Sequence, residues 1–258
     1  MSKIASAFDH GKAFIAFITC GDPDLETTGK AVRAAVANGA DLIELGIPFS
    51  DPTAEGPVIQ EASLRALQGG VTTDLVFDFV KDLRKDVTVP MVFMTYANVI
   101  FSYGAEKFIS VCAEIGIDGL ILPDLPYEEK EEFLPLCRQY GVDLVSLIAP
   151  TSENRVAMIA REAEGFIYLV SSLGVTGTRS EITTDLAPII RTIRENAKVP
   201  VAIGFGISTP EQARNMAALS DGAIVGSAIE KILARSGREA PEEIGAYVKS
   251  MKDAIKDL

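Results

Sequence analysis

What most constrains this chain is a repeated alternation. Eight short, apolar, largely β-branched runs (Ala13–Thr19, Leu42–Leu45, Met91–Thr95, Gly119–Leu122, Asp143–Ile148, Phe166–Val170, Val201–Ile203 and Ala223–Val225) are separated by stretches with helical spacing. Among those stretches are Thr27–Asn38, Ala105–Ile115, Glu128–Tyr140, Asn154–Arg161, Leu186–Asn196 and Pro210–Ala218. Runs such as AFIAFIT are continuously apolar, which suits parallel strands buried on both faces. Segments 38–45, 115–122 and 140–147 share one grammar. A helix ends, Gly supplies a left-handed cap, Asp makes the turn and a strand begins. Pro90 and Pro200 open two strands where no ladder donor is needed. Eight βα units in 258 residues, with no linker or low-complexity tract, predict a single (β/α)8 barrel domain over residues 1–258 with extra short helices. An open doubly wound sheet is the alternative, but no switch-point break interrupts the series.

Composition removes several functions. With 36 acids against 24 bases the net charge is −12, which disfavours nucleic acid and anionic membranes as partners. No apolar run is long enough to span a membrane and the N-terminus lacks a secretory pattern, so a cytoplasmic protein is expected. Cys20, Cys112 and Cys137 show no metal spacing and read as reduced thiols, with only Cys20 near a strand end where a ligand could lie. His10 is the single histidine and sits in a polar stretch, so a three-histidine zinc site is impossible and His10 reads as a surface residue.

Two long segments, residues 46–56 and 171–184, follow strands 2 and 6, on the face where barrel active sites are built. Glycines in Gly174–Gly177, Gly204-Phe205-Gly206 and Gly226-Ser227 lie after strands 6, 7 and 8. They allow a backbone to approach an anion, and a helix opening at Ser227 would aim its N–H groups at a phosphate. Glu44 stands in the apolar run Leu42-Ile-Glu-Leu, as a paired core acid or as a general acid/base made more basic by desolvation. Asp51 and Glu55 follow in a loop before Pro57, where they could equally be ordinary helix-capping acids. Asp124, at the end of strand 4, suits a structural or interface role. No strand ends in Lys, so Schiff-base chemistry is unsupported, and strands 1 and 5 lack the paired acids of a sugar-phosphate isomerase. Carboxylate acid–base chemistry on a phosphorylated substrate remains.

The segment from Leu42 to Gln60, LIELGIPFSDPTAEGPVIQ, closely resembles the signature of the tryptophan synthase α-subunit family. Phe17–Pro23, Met94–Asn98, Pro123–Pro126, Gly174–Gly177 and Gly204–Ser208 match in order, so the resemblance covers nearly the whole chain. It implies a barrel lyase that cleaves indole-3-glycerol phosphate to indole and glyceraldehyde 3-phosphate, with no metal and no cofactor in this chain. By the resemblance Glu44 is the main acid/base and Glu55 faces the indole N–H. The family's acid there is Asp, so Glu adds a methylene to that contact. Phe17, Thr19, Tyr96, Leu122 and Tyr168 would line the indole pocket. Gly177, Gly206, Gly226 and Ser227 would hold the phosphate, and Thr176 would help close the site. Ala16 stands where the family has Pro. The expected partner is a β subunit containing pyridoxal phosphate, in an α–β–β–α heterotetramer, with Pro48, Asp51, Asp124 and Pro126 at the contact. Two rivals stay open: another phosphate-binding barrel isomerase, and a catalytically weak barrel that mainly activates its partner.

Overall fold

The computed structural model describes residues 3–171 and 185–258. Eight strands follow one another in chain order around a closed barrel. They are β1 (Ala13–Thr19), β2 (Leu42–Gly46), β3 (Met91–Met94), β4 (Gly119–Ile121), β5 (Asp143–Ile148), β6 (Glu164–Val170), β7 (Val201–Gly204) and β8 (Gly222–Val225). All neighbours are parallel, and the ring closes with Ala13 opposite Gly222 and Ala16 opposite Val225. Closure excludes the open sheet, because every strand is paired on both sides. Each expected strand is present, with ends that differ by at most a residue or two.

The helices are α1 (Leu25–Ala37), α2 (Pro57–Gln68), α3 (Thr73–Leu83), α4 (Ala97–Tyr103), α5 (Ala105–Ile115), α6 (Leu134–Tyr140), α7 (Glu153–Arg161), α8 (Ala187–Asn196), α9 (Pro210–Leu219), α10 (Ser227–Ser236) and α11 (Ala240–Ile255). The single helix expected over Glu128–Tyr140 is instead a 3-10 segment, Tyr127–Glu132, followed by α6. Pro135 is the reason. It has no N–H to donate and clashes with the preceding turn, so a helix restarts around it rather than running through.

Side-chain alternation along the strands sorts two layers. Ile15 and Phe17 of β1, Leu42 of β2, Val92 and Met94 of β3, and Phe166 and Tyr168 of β6 fill the barrel interior. Their neighbours Phe14, Ile18, Ile43, Leu45 and Phe93 face the helices. The period of two decides where Glu44 points. Since Ile43 and Leu45 go outward, Glu44 shares the inward face with Leu42.

The turn aspartates do more than bend the chain. Asp41 accepts from Phe14 N at 2.7 Å, Asp118 from Met91 N at 2.9 Å and Asp221 from Val201 N at 2.9 Å. Each, placed just before one strand, satisfies an N–H at the start of the strand before it. The same end of the barrel is plugged by the N-terminal 3-10 turn Lys3–Phe8, whose Ile4 is fully buried in the interior. Space for it comes from glycines, since a Cβ on Gly119 would lie 2.8 Å from Ile4 Cδ1. The opposite end is left for chemistry.

Candidate active site

Glu44 sits in β2 with 1% of its surface exposed, and among the described residues neither carboxylate oxygen has a hydrogen-bond partner. Burial first, and the charge of Glu55 second, push its carboxyl up to about 8. Glu55, in the loop between β2 and α2, is also buried. Its carboxylate receives the Tyr96 hydroxyl, and that hydroxyl accepts from Ala54 N at 3.0 Å. Gln60 Nε2 holds the Glu55 carbonyl at 2.8 Å. Burial raises the Glu55 carboxyl to about 7, with Asp124 adding to the rise and the backbone N–H groups of Glu55 and Ala54 opposing it. Both acids exchange protons near neutrality, as acid–base chemistry at that pH requires. Tyr168 is enclosed with them. Its hydroxyl is held protonated by burial and by the charges of Glu44 and Glu55.

A cavity of about 30 Å³ brings Phe17, Glu44, Tyr168, Gly206, Gly226 and Ser227 together at the barrel mouth. Phe17, Ile59 and Met94 also border an adjoining cavity whose wall includes Thr19, Glu55 and Tyr96. The two acids thus approach one apolar divider from two sides. Leu122 is not brought into either space. It follows β4 on the outward face, packs in the outer core, and lines a neighbouring cavity with Ala54 and Phe205. Thr176 and Gly177 lie outside the described residues.

The glycine-lined end of this cavity is built from backbone. Gly206 has φ 81° and Phe205, before it, φ 74°. A phenylalanine in the left-handed region costs about 1–3 kcal/mol and needs its surroundings to hold it. Ser171 does so, donating its hydroxyl to the Phe205 carbonyl at 2.7 Å while its N–H reaches Gly204 O at 3.0 Å. The Phe205 ring meets Tyr168 edge-on at 6.0 Å. Across the mouth, α10 begins at Ser227 with no side chain capping it, so its positive end faces the cavity.

Several of these contributors are not evident in sequence. A Cβ on Gly46 would lie 2.7 Å from Phe17 Cζ, and one on Gly204 would lie 2.5 Å from Tyr168 Oη. Both glycines close a strand and leave room for an aromatic ring on the strand before it, a role that the sequence does not display. Of the remaining expected residues, Asp51, Asp124 and Pro126 are exposed at the same end of the barrel, whereas Pro48 is buried. Asp124 accepts from Ala97 N at 3.0 and 3.2 Å and so anchors the start of α4. Cys20, Cys112 and Cys137 are buried, Cys20 and the others within the outer core, and His10 is exposed. Among the described residues no group of His, Cys, Asp and Glu is arranged to hold a metal, and no helix is long and apolar enough to cross a membrane.

Comparison with known proteins gives a consistent result. The family model described as tryptophan synthase alpha chain matches residues 5–256. The tryptophan synthase alpha chain of Lacticaseibacillus casei is 49% identical over 255 residues, covering 99% of this chain and 96% of that protein. A solved structure from Aquifex aeolicus VF5 is 38% identical with a TM-score of 0.90, over 99% of each chain. A chain in the tryptophan synthase complex from Pyrococcus furiosus is 36% identical with a TM-score of 0.86, over 94% of this chain and 99% of that one.

Proposed function

Because the chain belongs to the tryptophan synthase alpha chain family, we propose that it cleaves indole-3-glycerol phosphate to indole and glyceraldehyde 3-phosphate by carboxylate acid–base chemistry. The observation that carries this reading is the unpartnered, fully enclosed Glu44 carboxyl sharing one cavity with Gly206, Gly226 and Ser227. An anion held at the start of α10 would set the rest of the substrate against that acid.

With its carboxyl pushed up to about 8, Glu44 enters the reaction protonated at neutral pH. It gives its proton to indole C3. The positive charge that develops on the ring is stabilised by the carboxylate of Glu55 facing the ring nitrogen. The bond from C3 to the adjoining glycerol carbon then breaks and its electron pair returns to the ring. The hydroxyl on that carbon loses its proton to Glu44 as the aldehyde forms, and the acid is restored. Tyr96 keeps Glu55 in place through its hydroxyl. The Glu55 side chain is buried with this contact in place. The paired acids of a sugar-phosphate isomerase are missing from strands 1 and 5.

This scheme uses no cofactor bound by the chain itself. The partner would be a β subunit containing pyridoxal phosphate, which takes up the indole in an α–β–β–α heterotetramer. The Pyrococcus furiosus relatives belong to a complex of that composition. Exposed Asp51, Asp124 and Pro126 would face it, with the buried Pro48 shaping the loop beneath. A cytoplasmic location suits such an enzyme. The deciding experiment is release of glyceraldehyde 3-phosphate from indole-3-glycerol phosphate by the purified chain with a β partner. Glu44→Gln should lower the rate by about 10²–10⁴-fold with an unchanged circular dichroism spectrum, and full activity in that variant would refute the assignment.

A further inference from the structure

A third buried acid, Glu230, lies behind the pocket wall and has no part in the chemistry above. It is the fourth residue of α10, fully buried, and its Oε1 accepts from Thr19 N at 2.6 Å. Its Oε2 has no partner among the described residues. The register explains the contact. Strand β8 ends at Val225 opposite Ala16, so the last residues of β1 run past their neighbour. Thr19 N–H therefore has a side chain for its acceptor, and the chain that continues from β8 into α10 supplies it.

The same carboxyl faces a second connection. Asp22, 1% exposed, is held by Arg65 of α2 through two bonds of 2.8 and 2.7 Å. The Asp22 charge bears on Glu230, which burial and that charge push up to about 8, against the opposing pull of Thr19 and Arg65. Two pieces of the candidate site thus meet at one point, backed by a third helix. They are the end of β1 with Phe17 and Thr19 and the anion-facing end of α10, and behind them lies the last turn of α2, where Arg65 stands. An enclosed carboxyl is a costly way to fill apolar space, so a hydrogen bond that an apolar residue could not make is the reason for having one there.

We propose that Glu230 is a positioning residue which, through its hydrogen bond to Thr19 N, fixes the anion-binding end of α10 against the pocket wall of β1. The proposal rests on the lyase reading for its substrate but concerns phosphate binding, so the two can fail separately. Without the acceptor, Thr19 N–H is left buried and unpaired, and the β1 end and α10 must shift to relieve it. Weakening one charge-assisted hydrogen bond to a bound anion is enough to cost on the order of tenfold to a hundredfold in its binding.

The test measures KM and kcat for indole-3-glycerol phosphate, with β partner, in wild type, Glu230→Val and Glu230→Gln. Affinity for inorganic phosphate is measured in parallel by calorimetry. Glu230→Val should raise KM and the phosphate Kd together by at least tenfold while kcat changes less than threefold. Glu230→Gln, which keeps an oxygen for Thr19 N, should restore both. A merely structural acid would change Tm without splitting KM from kcat. Unchanged KM and phosphate affinity in Glu230→Val would overturn the proposal, as would equal losses in Val and Gln. Should the Val variant not fold, Glu230→Asp, which withdraws the acceptor by one methylene, is read by the same criteria. If wild type binds phosphate but does not cleave the indole substrate, the lyase reading fails while the phosphate measurements still decide the role of Glu230.

Discussion

Replacing Glu44 by Gln should make the protein more stable as well as inactive, by an amount that grows with pH. The carboxyl lies in the barrel interior without a hydrogen-bond partner among the described residues, and is pushed from its ordinary 4.5 to about 8. A buried acid with a raised value binds its proton more tightly in the folded chain than in the unfolded one. Below about pH 4.5 both states are protonated and the acid has no effect on the pH dependence. Between 4.5 and 8 the unfolded state loses its proton first, so stability falls as pH rises, and above 8 the full penalty is present. The size of the displacement corresponds to roughly 5 kcal/mol at most, on the order of 3 kcal/mol at pH 7. Glutamine mimics the neutral acid at every pH and escapes this loss. Glu230 also titrates in this range but remains in both proteins, while Glu55 acts on Glu44 through its charge, so the difference between the two reports Glu44 together with its interaction with Glu55. Urea unfolding at pH 5, 6, 7, 8 and 9 gives that difference directly. Curves that nearly coincide at pH 5 and separate by a few kcal/mol by pH 8 are expected. A gap that stays constant with pH, or wild type gaining stability over the variant as pH rises, would refute the reasoning about burial.

Two further substitutions probe the pocket. Gly46→Ala places a Cβ 2.7 Å from Phe17 Cζ without any demand on the backbone, so the ring must turn into the cavity. We expect about 1–3 kcal/mol of destabilisation and at least a tenfold fall in kcat/KM, relieved when Phe17→Leu is added, and additive effects in that double variant would contradict the steric cause. Tyr96→Phe deprives Glu55 of its donor and Ala54 N of its acceptor. A charge-assisted bond of this kind contributes roughly 1.5–3 kcal/mol, so kcat/KM should drop by about tenfold or more and its acidic limb should move to higher pH. An unmoved pH profile would show that the hydroxyl does not hold the carboxylate.

Local pattern carried most of the fold and part of the site. The strands were readable because runs such as Ala13–Thr19 are buried on both faces, and a barrel leaves such strands no polar side. Glu44 stood out for the same reason, and the pleat that sends Ile43 and Leu45 outward fixes its direction. Leu122 shows the same rule working against resemblance. With Ile121 inside, the next residue is outside, whatever pocket its family position implies. The split of the Tyr127–Tyr140 segment was signalled by Pro135, which amphipathic spacing alone overlooks. Contacts distant in sequence left no such trace. The burial of Glu55 depends on Tyr96 across 41 positions, and that of Glu230 on Thr19 across 211. In the chain itself each is one more acid at the start of a helix, where carboxylates are common for electrostatic reasons.

The placement of these acids follows from how a barrel divides its two ends. At the plugged end, charges are paired or bound to backbone: Asp118 takes both Arg84 at 2.5 Å and Met91 N, and Asp41 takes both Lys252 at 2.7 Å and Phe14 N. At the open end, among the described residues, Glu44 has no hydrogen-bond partner, Glu55 has a neutral phenol and backbone N–H groups, and Glu230 has one backbone N–H. Unpaired acids in an apolar wall hold protons near pH 7 and destabilise the fold as they ionise. At that same end Asp22 is paired with Arg65, so what sets Glu44, Glu55 and Glu230 apart is that no cation bonds to them among the described residues. Supplying Glu44 with a lysine or arginine neighbour would make the open end resemble the plugged one, steadying the barrel at alkaline pH and removing the acid form with which the proposed cleavage begins.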